Sequence, residues 1–303
     1  MKKKLLLYVT LGISLLTVSC SDDGELPLKD DFVSCRFEFP QGTTAADKEI
    51  QRIHEEAGVY LIYKKITSRD LNRNWIDPGE TSYMGTMIKE ENVTFYLEFL
   101  NDNLLKYVDG QYLKNALPVY FYFLKHLEST KGSRPTVVDL RTDGLDFWAL
   151  ALSKEEIEDF SVQERAILRN RLMYPILKKL VSKGIISAPD NFFVGIDYET
   201  AISKKSTTST GSRDRNYYCY RGFVDFVDES DFRYTNIPSI SMVKAINADL
   251  LSYIRIALMY TEEEFQEEYP QQEFSLVNER YQILTSHLKK DYGVDLKAIA
   301  KGN

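Results

Sequence analysis

The chain of 303 residues is 44% hydrophobic and 27% charged, enough to bury one large core or two modest ones, which excludes a peptide, a disordered tail or a fibre. Its 38 basic residues face 45 acidic ones, a net of -7 that becomes -10 once a presequence carrying Lys2, Lys3 and Lys4 is lost, and this argues against nucleic acid as a partner. Only three histidines occur, His54, His126 and His287, far apart in sequence, so an HExxH zinc site is absent.

Residues 1–19 read as a secretory signal: a basic cap, an apolar run lightly broken by Thr10, Gly12, Ser14 and Thr17, and Ser19 before Cys20. The run is too short and broken for a committed membrane span. Leu16-Thr17-Val18-Ser19-Cys20 resembles a relaxed bacterial lipobox, which implies cleavage before Cys20 and acylation of its thiol, with palmitate-type chains holding the protein to the outer membrane. The next residues, Ser21-Asp22-Asp23-Gly24, resemble the acidic export tag of Bacteroidetes surface lipoproteins; a plain polar tether is the alternative. Two further cysteines, Cys35 and Cys219, permit one disulfide, but two buried thiols are the expectation.

Residues 20–43 are expected to form a lipidated tether followed by an edge strand or extended arm with a two-residue period, closed by Pro40. A single α+β domain is then expected over 44–303. A helix starts near Thr44, with Asp47 in its first turn and Ile50, Ile53 and Ala57 on one face; His54 reads as a partly exposed helix residue. Residues 59–66 fit a strand or the end of that helix, and a polar loop surrounds Trp75. Helical spacing follows in residues 92–107, and again in 113–127 through Leu113, Leu117, Tyr120, Phe121, Leu124 and Leu127, with Pro118 kinking or starting the second helix.

Residues 136–140 and 147–152 read as short strands joined by a polar loop. Ser161 and Glu164 form a capping box for a long helix through Leu168, Leu172, Ile176, Leu177 and Leu180, bent at Pro175 and stopped by Gly184. Residues 204–215, almost wholly Lys, Ser, Thr, Gly, Arg and Asp, lack the order of a phosphate-binding loop and read as a surface loop. Helical patterns occupy 240–260 and 274–288, and the acidic stretch between them reads as a solvated helix start rather than a calcium loop.

Glu56-Ala57-Gly58-Val59-Tyr60-Leu61-Ile62-Tyr63, Gly222-Phe223-Val224 and Asn278-Glu279-Arg280-Tyr281-Gln282-Ile283-Leu284 carry a resemblance to the zinc-binding metallopeptidase lipoproteins of Bacteroidetes. It implies a degenerate zincin-like fold, helix-rich with a small central mixed sheet. It also implies association with outer-membrane nutrient import, hence a TonB-dependent transporter and its surface binding lipoprotein as partners. The helix in the place of HExxH reads Met173-Tyr174-Pro175-Ile176-Leu177-Lys178-Lys179, and of the later acidic positions only Asp249 matches. With no ligand set there is no route to a metal-activated water, so neither a metal nor another cofactor is expected.

The expected function is therefore a noncatalytic, lipid-anchored accessory or ligand-binding component of import. Trp75, Tyr83, Tyr217, Tyr218 and Tyr220 are candidates to line a recognition surface, with Asp249 beside them. Two enzymatic alternatives are a residual metallopeptidase and a hydrolase built on paired carboxylates, for which Asp139, Asp143 and Asp146 are the candidates. A purely structural surface component is the remaining one.

Overall fold

A capping box opens the first helix, α1 (Ala45–Ala57): the Thr44 N–H donates to Asp47 Oδ2 at 2.9 Å and the Asp47 N–H to Thr44 Oγ1 at 3.3 Å. Ile50, Ile53 and Ala57 face inward, and Gly58 ends the helix with φ 72°, a conformation glycine adopts without strain. Asp47 also accepts the Tyr63 hydroxyl at 2.8 Å, tying the helix start to the end of strand β1 (Tyr60–Ile62). The open reading of residues 59–66 resolves to a strand over Tyr60–Ile62 only. These features belong to a computed structural model, which describes residues 35–73, 82–200, 218–236 and 246–302. Its contacts group the described residues from Phe39 onward as one compact unit.

The short helix α2 (Ser68–Leu71) precedes β2 (Tyr83–Met87), followed by α3 (Val93–Asn103) and α4 (Gly110–Ala116). Here the structure corrects the helix expected over 113–127. It ends at Ala116, and Tyr120–Ser129 form β3, the longest strand. Pro118 disfavours helix in the residue before it, and the following Tyr-Phe-Tyr-Phe-Leu run is buried on both faces. A strand buried on both sides loses its alternation and imitates helical spacing.

β3 organises the sheet. β1 pairs with it in parallel along 120–122, and β2 antiparallel farther along the same edge, from Tyr83 opposite Ser129 to Met87 opposite Leu124. On the other edge lie β6 (Phe147–Ala151), parallel, and β4 (Thr136–Val137), antiparallel; β5 (Leu140–Arg141) pairs antiparallel with β6. The two runs expected at 136–140 and 147–152 are therefore sheet members, not a simple hairpin. Phe121 and Phe123 enter the main core with Trp148 and Leu150, while Tyr122 stacks on Phe147 across the opposite face at 4.8 Å.

After α5 (Lys154–Asp159), the Ser161–Glu164 capping box launches α6 (Val162–Ser182), which continues through Pro175. It ends at Ser182, two residues before Gly184. β7 (Phe226–Val227) and β8 (Thr235–Asn236) form a separate antiparallel pair. α7 (Ile246–Met259), the acidic α8 (Glu262–Glu268), α9 (Ser275–Tyr292) and α10 (Leu296–Lys301) complete the chain. α8 is the helix start expected of the acidic stretch, and the structure caps it with Thr261. α4 packs against α1 and α6, and α7 against α6 and α10, enclosing a core shared with the sheet. The architecture is α+β, helix-rich around a small, open mixed sheet.

Of the remaining expectations, the extended arm before Pro40 is not a strand over residues 35–39, and its first part lies outside the described residues. Cys20, Trp75, Tyr217 and the 204–215 loop also lie outside them. Cys219 is a buried thiol, while that of Cys35 is only partly buried. No helix among the described residues is long and apolar enough to cross a membrane.

Candidate functional site

The three histidines occupy separate elements and do separate structural work. His54 of α1 stacks on Tyr60 with centroids 4.0 Å apart; His126 of β3 lies 3.8 Å from Glu128; His287 of α9 bonds Asp291 through Nδ1 at 2.5 Å and the Ser187 carbonyl through Nε2 at 3.0 Å. Among the described residues no group of three or more His, Cys, Asp or Glu side chains could hold a metal ion. The α6 stretch singled out in the sequence is core: Met173 and Tyr174 are buried, and burial pushes the Tyr174 phenol up to about 12. Burial also lowers the Lys179 ammonium pKa, and Lys178 pairs with Glu229 at 2.9 Å.

The three candidate carboxylates are each turned toward an arginine. Asp139 takes both ends of the Arg171 guanidinium, Asp143 accepts Arg141 Nε at 2.6 Å, and Asp146 accepts Arg73 Nη2 at 3.2 Å. Burial works to raise the Asp139 pKa, but the Arg171 hydrogen bonds and charge outweigh it and hold the carboxyl below its ordinary value. An acid so held stays ionised near neutrality and is a poor proton donor for glycoside cleavage.

The aromatic candidates are also dispersed. Tyr83 is buried with the Arg141 guanidinium over its ring at 3.6 Å. Tyr218 is buried and its hydroxyl donates to Asp225; Tyr220 is half-buried, with its hydroxyl 2.8 Å from Glu273. Tyr83 and Tyr218 are therefore interior rings, because each sits where a buried polar group needs a partner.

Asp249, the one acidic match, lies at 0% exposure and anchors a polar network inside the helical half. It accepts the Tyr198 hydroxyl at 2.8 Å and pairs with Arg280, itself 1% exposed. Arg280 reaches the carbonyls of Phe192 (3.0 Å) and Gly222, and its guanidinium lies over the Phe192 and Tyr253 rings at 4.1 and 4.6 Å. The Tyr253 hydroxyl also donates to the Gly222 carbonyl; Gly222 has a φ of 83°, which favours glycine, and a Cβ there would come within 3.0 Å of the Ile196 and Leu276 side chains. Burial and the Asp249 charge drive the Tyr198 phenol well above its ordinary pKa. A parallel cluster joins Asp225 to Tyr218 and Tyr269, with the Tyr269 hydroxyl 2.6 Å from Asp225 Oδ2.

One concavity was not signalled by the aromatic pattern. It is an open groove of about 920 Å³ between the start of α6, the β7–β8 connection and the ends of α7 and α10. Arg169 and Asn170 line it, at 6% and 2% exposure. Arg169 Nε and Nη2 donate to the Ile299 and Ala300 carbonyls at 2.6 and 3.1 Å, and burial holds its pKa below the ordinary value. Asn170 Oδ1 is buried without a hydrogen bond. The sequence does carry a signal for both residues. Arg169 continues the spacing of Met173, Ile176 and Leu180, and Asn170 that of Tyr174 and Leu177, which puts a charge and an amide on an apolar stripe.

No family model matches the chain, and no curated protein matches it. A solved structure from Bacteroides caccae ATCC 43185, named as a candidate zinc-binding metallo-peptidase, is similar at 11% identity and a TM-score of 0.44, covering 86% of this chain and 92% of its own. No residue role is carried across from it.

Proposed function

We propose that this protein is a noncatalytic binding lipoprotein, anchored through Cys20 at the outer membrane or cell surface as an accessory component of nutrient import beside a TonB-dependent transporter. The observation that carries the binding reading is the α6 groove, where a buried cation and an unsatisfied buried amide line an open concavity. Concave sites with a few convergent polar groups are the usual places for small ligands. The anchor rests on the Leu16-Thr17-Val18-Ser19-Cys20 segment. Growth of producing cells on a clickable fatty acid tests it: the wild type takes up the label and fractionates with outer membrane, and Cys20→Ala loses both. An unlabelled wild type, or a Cys20→Ala protein still held in the membrane fraction, overturns the anchor.

A further inference from the structure

Beyond the groove, we infer that Arg255 anchors a second site, at the junction of α6, α7 and β7, that takes the carboxylate of an acid with an apolar flank. Four arginines among the described residues are 8% exposed or less: Arg141, Arg169, Arg255 and Arg280. Burial of such a charge is costly unless it is bonded. Arg141 donates to Asp143 and the Leu71 carbonyl, Arg169 to the Ile299 and Ala300 carbonyls, and Arg280 to Asp249 and to the Phe192 and Gly222 carbonyls. Arg255, at 8%, makes neither a hydrogen bond nor an ion pair among the described residues.

What meets Arg255 instead is aromatic. Its guanidinium carbon lies over the Tyr174 ring at 5.3 Å and over the Phe226 ring at 5.1 Å. Contacts of this kind use the flat faces of a guanidinium, while its N–H groups point outward in the plane. Nε is sealed from solvent without a partner, whereas Nη1 and Nη2 are neither bonded nor sealed, so the exposed part of Arg255 includes them. A pair of N–H groups held in a fixed plane and open to water matches the two oxygens of a carboxylate. Phe226, 43% exposed, offers its ring to the apolar flank.

The neighbouring charges are already engaged. Lys178 Nζ, 6.0 Å from the same Tyr174 ring, bonds both Glu229 carboxylate oxygens at 2.9 Å. Asp228 accepts the Ser230 hydroxyl at 2.5 Å and its N–H at 2.8 Å; these bonds hold its carboxyl below the ordinary pKa, and the Arg255 charge adds to the effect without an ion pair forming. Asp228 is thus a competing charge that an incoming carboxylate outweighs by direct contact. Tyr174 and Arg255 stand one helical turn beyond Asn170 and Met259 of the α6 groove and do not line it.

Isothermal titration calorimetry on the full mature chain tests the site with four probes: phenylacetate, phenylacetamide, and a tripeptide ending in phenylalanine with a free or an amidated C-terminus. The acids are expected to bind at one site, and the amides about 10-fold or more weaker. A tripeptide acid tighter than phenylacetate assigns the carboxylate to a peptide chain end, and the equal or reverse order assigns it to a free small acid; both support the inference. Arg255→Met keeps a stem against the two rings and removes a buried charge that bonds to nothing. It is expected to hold or raise the melting temperature while weakening the acids about 10-fold or more. Asp228→Asn keeps an acceptor for Ser230 but loses the competing charge, and should tighten the acids about 2-fold or more at low salt. If Arg255→Met fails to fold, Asp228→Asn decides alone. A wild type that binds none of the probes, amides that bind as tightly as their acids, unchanged affinity in Arg255→Met, or weaker binding in Asp228→Asn overturns the site. The reading of the α6 groove is tested separately, since it shares none of these residues.

Discussion

The two halves of the core are built from opposite materials. Around β3 the interior is apolar and aromatic: Phe121, Phe123, Trp148 and Leu150 meet on one face, and stability there comes from surface removed from water and close packing. Under α7 and α9 the interior instead holds Asp225, Asp249, Asn278 and Arg280, each 7% exposed or less. Asn278 helps tie α8 to α9, donating to the Tyr269 and Phe274 carbonyls at 2.8 and 3.0 Å while accepting from Gln266 at 2.6 Å. Buried ions gain little net stability over apolar residues of the same size, yet breaking a pair is costly. Gly222, whose carbonyl accepts both Tyr253 and Arg280, and Arg280, paired with Asp249, thus assemble this network and hold the helices around it.

The sharpest way to break the comparison is Arg280→Met, which removes the cation that neutralises Asp249 at zero exposure and should cost about 3–5 kcal/mol in urea unfolding. Adding Asp249→Leu should recover most of that loss, a strongly non-additive pair. Additive losses would mean that the two halves are held by the same kind of packing. In the sheet half Leu150→Ala should cost about 2–5 kcal/mol, but Leu150→Met less than about 1.5 kcal/mol, because volume and not a partner is what the site requires. A smaller effect comes from Asp47→Asn, about 1–3 kcal/mol, through loss of its charged hydrogen bonds to Thr44 and Tyr63. Burial pushes the Asp47 pKa up, but those bonds and the Lys64 charge bring it below the ordinary value. Its contribution is therefore complete above the unfolded pKa near about 4 and fades as pH falls through the lower folded value. Acid titration of the wild type should show this slope and Asp47→Asn should lack its share. The smallest effect belongs to Asp139→Asn: its side chain is 41% exposed, so solvent screens the Arg171 pair, and a loss under about 1 kcal/mol that shrinks in salt is expected.

Much of the helical frame is legible from the sequence, because local chemistry decides it. Thr44 with Asp47 and Ser161 with Glu164 open helices where the sequence places them, and the structure adds a Thr261–Glu264 cap of the same spacing. β3 is not legible in the same way: Tyr120–Ser129 begins as a continuous apolar run, and only tertiary burial on both faces chooses strand over helix. The site was harder still. Exposed aromatics attract attention in a sequence, yet Tyr83 and Tyr218 turn inward to satisfy buried polar partners. The groove residues hide in an amphipathic helix, where Arg169 and Asn170 look like ordinary polar positions until the stripe through Met173 and Tyr174 is extended back to them. Whether an amide on such a stripe finds a partner depends on elements more than a hundred positions away, as the reach from Arg169 to Ile299 illustrates.

The central claim is that this fold binds without metal-dependent catalysis, and zinc content tests it most directly. Mass-spectrometric metal analysis of full-length mature protein, purified without chelator and paired with a peptide-cleavage assay, should find zinc far below one equivalent and no chelator-sensitive cleavage. Near-stoichiometric zinc accompanied by cleavage that a chelator abolishes would contradict the account.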